Sequence, residues 1–393
     1  MGRLLTVFSD RQFQNIAVAH LCTIFGTNLL MPVLPVFLQS QGFSETKIGF
    51  IMGITAAGAL FVRPWVGYNV DTKGSRPAIL IGQILILLST VGYLWASSFF
   101  SFFSLRLLYG IALAFYGTGA VTFASSIGTG ETNASAIAFY TLMTMLGIGL
   151  SMGVAQVVYD SWGFAILVIG SLLFVSGAFG IMKLRAKPIV PSAKGKRVPF
   201  MDVLQSKVVV AAILAQFAAS VSFSAVFTFI PLASLANGVS FYSLFFIAFA
   251  IFVVASRFFV QHVNGRLGLE KTAVYASIIM VCSISMLAWQ ISPVVLAVAG
   301  SLFGIGFGVV FPTLVLLVVR NMPDNCRGTA LGILIAAGDI GVALAGALLG
   351  AVAEYLGYST LFFTAALQLV ICIWWFHYLL SHGEPLQEKV SSC

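Results

Sequence analysis

Charge is what this sequence lacks. Of 393 residues only 32 are ionic, 20 Lys and Arg against 12 Asp and Glu. That is 8%, where a soluble domain carries about 25%. So few charges cannot cover a chain that is 60% hydrophobic in water, which excludes soluble enzymes and nucleic-acid modules. Cysteine is scarce as well. Cys22, Cys282, Cys326, Cys372 and Cys393 are scattered without metal or redox spacing, and no enzyme constellation accompanies them. Neither a metal nor a cofactor is expected. The alternating polarity of membrane barrel strands is also missing. What remains is a series of long apolar runs, and the chain reads as an all-α integral membrane protein.

Uncharged stretches run over 12–44, 77–105, 107–130, 132–159, 161–182, 208–256, 272–319 and 355–383. A membrane helix needs about 20 apolar residues. The two longest stretches hold two spans each, folding back at Leu235–Ser240 and at Gln290–Pro293, where turn residues gather. With spans around 46–66 and 328–352 the count is twelve. Met1–Arg11 is polar and the apolar run after it is too long for a signal core, so the first span is expected to stay in the protein.

Lys and Arg set the orientation. With both termini inside, the inner segments hold 18 of the 20 basic residues and the outer loops hold only Lys47. Arg106 lies within a span. A multi-pass cell-membrane protein with cytoplasmic termini follows, and the +8 charge reflects topology rather than nucleic-acid affinity.

One linker-like segment, Arg185–Lys207, divides the spans six and six. The expected organisation is an N-terminal six-helix bundle (1–183), a cytoplasmic linker (184–206) and a C-terminal six-helix bundle with a short tail (207–393). The halves repeat. A shift of 194 pairs Arg63 with Arg257, Gly74 with Gly268, Gly110-Ile111 with Gly304-Ile305, Gly147 with Gly341, Asp160 with Glu354, and Gly163 with Gly357. Near the start a shift of 196 pairs Pro35 with Pro231, Gly42 with Gly238, Ser44 with Ser240, and His20 with Gln216. Six spans return each half to the same orientation, so two parallel bundles flanking a mid-membrane cleft are expected.

After span 2 comes Gly67-Tyr-Asn-Val-Asp71-Thr-Lys-Gly74-Ser-Arg76. Gly74 suits a tight turn, the basic residues suit inner headgroups, and Asp71 is placed to dock on a helix N-terminus. This loop resembles the signature G-x-x-x-D-x-x-G-[RK]-[RK] of the major facilitator superfamily. Arg106-Leu-Leu-Tyr-Gly110 on span 4 is similar to a second family motif, and Gly147, Gly149 and Gly153 on span 5 partly match the glycine-rich motif of proton-coupled exporters. Leu150 stands where that motif has proline. The resemblance implies two six-helix bundles, alternating access, and a gating role for Gly67, Asp71, Gly74 and Arg76, with Asp71 as a latch near span 11.

Two charges lie deep in spans. Arg106 sits about 10 Å inside span 4 at about 1.5 Å per residue, a costly position that calls for a carbonyl or carboxylate partner. The family motif implies a role in proton coupling. The repeat partner of Arg106 is Gly300, and a lone arginine argues against phosphorylated substrates. Asp339 is the only acid deep in any span, near the middle of span 11. A carboxylate in a low-dielectric site can load and release a proton, as coupling to a gradient requires. Either residue could instead serve packing alone.

Substrate candidates are Asn28, His20, Gln216, Tyr116 and Phe307. They fall on spans 1, 4, 7 and 10, which line the cavity in the resembled family. A span histidine is also a common packing residue. Pro32, Pro35, Pro231 and Pro312 interrupt helix hydrogen bonds within spans. An apolar, aromatic cavity with one acid suits amphipathic, neutral or weakly cationic organic molecules better than sugars. The expected activity is proton-coupled export of small organic molecules by a monomer in the lipid bilayer. The alternative is import of a small nutrient or metabolite, which the missing span 5 proline keeps open. A receptor or assembly subunit is a third class, weakened by the lack of a soluble signalling domain.

Overall fold

The computed structural model describes residues 11–126, 131–181, 203–204, 206–322 and 327–381. Nearly all of the expected 184–206 linker lies outside these residues. The described elements are helices: α1 (Arg11–Leu29), α2 (Leu34–Ser40), α3 (Glu45–Lys73), α4 (Ser75–Gly92), α5 (Phe99–Ser126), α6 (Glu131–Ile181), α7 (Lys207–Ala236), α8 (Ser243–Leu267), α9 (Leu269–Trp289), α10 (Pro293–Asn321) and α11 (Arg327–Ser381). No strand occurs among the described residues. The first crossing is broken between α1 and α2, where Pro32 and Pro35 remove backbone donors.

Among the described residues, ten stretches are long and apolar enough to cross a membrane. Two of them, of 40 and 55 residues in α6 and α11, are too long for one crossing of about 20 residues. Each is broken by a glycine, Gly163 (φ 79°, ψ 177°) and Gly357 (φ 83°, ψ 168°). Only glycine adopts this backbone region readily. The two breaks bring the count into agreement with twelve crossings.

The six positive-φ residues among those described are all glycines, and they form three repeat pairs: Gly42 with Gly238, Gly74 with Gly268, Gly163 with Gly357. The repeat read in sequence is therefore written into the backbone turns.

Contacts divide the chain into two units, Met1–Phe43 with Phe50–Ser192, and Ser44–Gly49 with Ala193–Cys393. In the first unit, α1 packs on α6 and α4 on α5. Small residues permit close approach: a Cβ on Gly110 of α5 would collide with the Thr55 carbonyl of α3, and one on Gly147 of α6 would press on Ile24 of α1. In the second unit, α7 packs on α11 and α9 on α10, the same pairing shifted by one half. Gly304 of α10 faces the Phe249 carbonyl of α8, as Gly110 faces Thr55. The first residues of α3 also belong to this unit. The Thr46 N–H donates to Glu354 Oε2 (3.0 Å) and the Tyr358 hydroxyl to Glu45 Oε1 (2.9 Å). Gly346 and Gly350 of α11 let the backbones meet there.

Candidate functional site

In the first unit His20 of α1 is buried, 2% exposed, as is Tyr116 of α5 at 1%. The Nδ1 atom lies 2.9 Å from the Tyr116 hydroxyl and Nε2 lies 2.8 Å from Thr144 Oγ1. Thr144 donates its own proton to the Tyr140 carbonyl (3.0 Å). Its oxygen must therefore accept from Nε2–H, and in a neutral imidazole Nδ1 accepts from Tyr116. Both ring nitrogens are occupied. The Tyr140 ring stacks on His20 at 3.9 Å. Nearby, Gln83 Nε2 donates to Thr23 Oγ1 (3.1 Å), which donates to the Ala19 carbonyl (2.9 Å). These bonds offset much of the cost of burying so many polar groups, although the Gln83 side-chain oxygen is buried with no hydrogen-bond partner among the described residues.

Arg106 of α5 is 6% exposed. Its partners differ from the carbonyl or carboxylate that a buried arginine calls for. The guanidinium carbon stands 5.2 Å from the Tyr109 ring centroid, and Nη2 lies 3.5 Å from the Met52 sulfur. Nε has no hydrogen-bond partner among the described residues. A delocalised, weakly hydrated guanidinium is held by an aromatic face at a lower desolvation cost than a compact ammonium. Tyr109 is fixed in turn by a 3.3 Å hydrogen bond to the Thr27 carbonyl. Asn28, one residue on, is half-buried and donates to the Ile24 carbonyl (2.9 Å) and to Thr27 Oγ1 (3.3 Å).

In the second unit Asp339 is half-buried on α11. Its neighbours Gly338 and Gly341 let α7 approach closely. A Cβ on Gly338 would stand 2.9 Å from Gln216 Nε2 and 3.0 Å from Ser220 Oγ, and one on Gly341 would stand 2.7 Å from the Phe217 carbonyl. The amide of Gln216 donates to Ser220 (3.1 Å), while its Oε1 is buried with no hydrogen-bond partner among the described residues. On α10, Phe307 stacks on Phe223 of α7 (4.9 Å) and on Phe303 (5.9 Å). Phe223 and Phe307 are half-buried, whereas Phe303 is enclosed. They are thus the open edge of an aromatic stack.

The loop Gly67–Arg76 forms the end of α3 and the turn into α4. Gly74 takes φ 87° and caps α4, Gly67 faces open space, and Asp71 and Arg76 are exposed. The structure brings together His20 with Tyr116 and the surroundings of Asp339 with Gln216. Tyr140, Thr144 and Ser220 escaped the sequence reading, although Tyr140/Thr144 and Gln216/Ser220 share the four-residue spacing of one helix face. No group of three or more potential metal ligands occurs among the described residues.

Two repeated sets of membrane-crossing helices, with the buried cation Arg106 held against an aromatic ring, define a polytopic membrane protein. The family model described as Major Facilitator Superfamily matches residues 16–346, and the chain belongs to that superfamily of transporters. It is 23% identical over 362 residues to the staphylopine export protein of Staphylococcus aureus (strain Mu50 / ATCC 700699), covering 88% of this chain and 91% of that one. It is 25% identical over 367 residues to the uncharacterized MFS-type transporter YhhS of Escherichia coli (strain K12), covering 90% and 88%. Among solved structures, a point mutant of the nucleoside transporter NupG superposes with a TM-score of 0.81 at 13% identity, over 94% of this chain and 100% of that one. At that identity the likeness shows the fold alone.

Proposed function

We propose that this protein is a secondary active transporter that exports small organic molecules in exchange for protons. In this reading, two six-span halves joined through the segment around 184–206 expose one site alternately to the two sides of the cell membrane, with both termini cytoplasmic. The observation that carries it is Asp339, an acid half-buried in the middle of a membrane-crossing helix, next in sequence to the Gly338 that packs on Gln216 of α7. Protonation at Asp339 exchanges a charge for a neutral group, and substrate release follows on the outer side. Similarity along most of the chain to a staphylopine export protein supports the outward direction. The guanidinium of Arg106, held by Tyr109 and Met52, keeps a fixed positive potential in the first half and takes part in coupling.

Substrate contacts fall to the half-buried groups, Asn28 and Phe307, and to Gln216. His20 and Tyr116, occupied with each other, shape the wall by holding Tyr140 and Thr144. Gly67, Asp71, Gly74 and Arg76 serve the gate, the exposed Asp71 being free to engage in the opposite state. Import of a nutrient or metabolite is the second reading, favoured by Leu150 in span 5. Cells that express the protein and are loaded with labelled candidate metabolites or fluorescent amphipathic amines separate the two. Faster loss of label supports export, and net accumulation supports import.

A further inference from the structure

The second unit holds a cavity of about 420 Å³ between α8, α9 and α10, within the range of about 300–1,000 Å³ typical of ligand sites. Its walls include Ser256, Val260, Thr272, Ile279, Ile305 and Val309, with Phe252, Phe259 and Tyr275 at an exposed mouth. Its two wall hydroxyls are spent on their own helices. Ser256 donates to the Val253 carbonyl and Thr272 to the Gly268 carbonyl, both at 2.7 Å. Apart from the Tyr275 hydroxyl at the exposed mouth, the lining is apolar and offers little to a polar solute.

The internal repeat explains why the space exists. Subtracting 194 from those six wall positions gives Val62, Val66, Ala78, Leu85, Ile111 and Phe115. In the first unit these six form one packed hydrophobic cluster. There Phe115 fills the centre and Trp65 closes it edge-on, with ring centroids 5.6 Å apart. The second half has Val309 for Phe115 and Phe259 for Trp65. These two reductions, with Ser256 for Val62, outweigh the gain of Thr272 for Ala78 and turn a filled core into a cavity. A void between helices that opens on the membrane-facing surface costs contacts unless something apolar enters.

The groove also has a charged end. Arg266, in the last turn of α8, and Lys271, in the first turn of α9, are exposed and adjoin in sequence the lining residues Leu267 and Thr272. The exposed Glu270 between them leaves this rim net positive by one charge, two cations against one anion. An apolar slot ending in a basic pair matches an acyl chain that carries an anionic headgroup.

We propose that the groove between α8, α9 and α10 is a binding site for an anionic phospholipid, one acyl chain in the cavity and the phosphate on Arg266 and Lys271. The protein purified in mild detergent is titrated with phosphatidylglycerol, cardiolipin or phosphatidylcholine, and bound lipid is counted by native mass spectrometry. Wild type retains phosphatidylglycerol or cardiolipin in preference to phosphatidylcholine. The double variant R266Q/K271Q binds the anionic lipid about thirtyfold more weakly, from about 1 kcal/mol per basic residue. It leaves the core untouched, so folding is not in question. The double variant V309F/F259W, which installs the residues of the first half, loses one retained lipid while keeping a single elution peak and its melting temperature. Undiminished retention in V309F/F259W, or equal retention of phosphatidylcholine by wild type, overturns the proposal.

Discussion

Gly163 and Gly357, 194 positions apart, break the two longest helices with nearly the same backbone angles, φ 79° and 83° with ψ 177° and 168°. Both lie just after an acid of the repeat, Asp160 and Glu354. A side chain in this region costs about 1–3 kcal/mol. Gly163→Ala and Gly357→Ala should each lower the melting temperature in mild detergent. Gly177→Ala, in a plain stretch of helix with open space around it, should leave it unchanged or slightly raised.

His20 is a test of how much the buried network is worth. Phenylalanine in its place keeps a ring against Tyr140 and removes the hydrogen bonds of His20 to the Tyr116 hydroxyl and the Thr144 oxygen. His20→Phe should cost about 1–3 kcal/mol in denaturant unfolding. Combined with Tyr116→Phe, the double variant should lose clearly less than the two single losses added together.

The contact of α5 with α3 has no room for a methyl group. Gly110→Ala must displace the Thr55 carbonyl, and Gly304→Ala must displace the Phe249 carbonyl at the equivalent crossing. Overpacking of this kind costs about 1–3 kcal/mol. Both variants should melt earlier than wild type. An unchanged melting temperature in either one would show that the crossings yield more easily than their geometry implies.

Arg106 separates charge from shape. Arg106→Lys keeps the positive charge but places a compact ammonium where a flat guanidinium lies against Tyr109. A desolvated cation–π contact is worth about 2 kcal/mol, and most of it should be lost on unfolding measurements of the lysine variant. In the coupled-transport reading, the same variant should also transport more slowly than wild type.

Much of the architecture was legible because membranes impose simple rules. Uncharged runs and turn residues located the crossings, and the pairs Gly42/Gly238, Gly74/Gly268 and Gly163/Gly357 announced backbone turns that the structure contains. In α6 and α11 the chain turns at Gly163 and Gly357, and Asp160 and Glu354 already mark each boundary in the sequence. The candidate site was less legible. Tyr116 and Thr144 meet His20 from far along the chain, and no local pattern records that meeting. The partner of Arg106 was anticipated as a carbonyl or carboxylate, whereas the side chain lies against the Tyr109 ring and the Met52 sulfur and close to the Tyr93 hydroxyl, uncharged groups that leave no charge signal in sequence. The cavity beside Val309 depended on a comparison of side-chain volumes across three helices, which the repeat makes possible only once the packed counterpart around Phe115 is seen.

The central claim is that Asp339 couples substrate movement to protons. Inverted membrane vesicles energised to an acidic interior, supplied with the exported compound that the cell assay identifies, test it most directly. Wild-type vesicles should accumulate the compound and release protons measurably as they do so, and a protonophore should abolish both. Asp339→Asn, correctly folded and inserted, should bind the compound but show neither gradient-driven accumulation nor proton release. Coupled accumulation by Asp339→Asn at the wild-type rate would contradict the account.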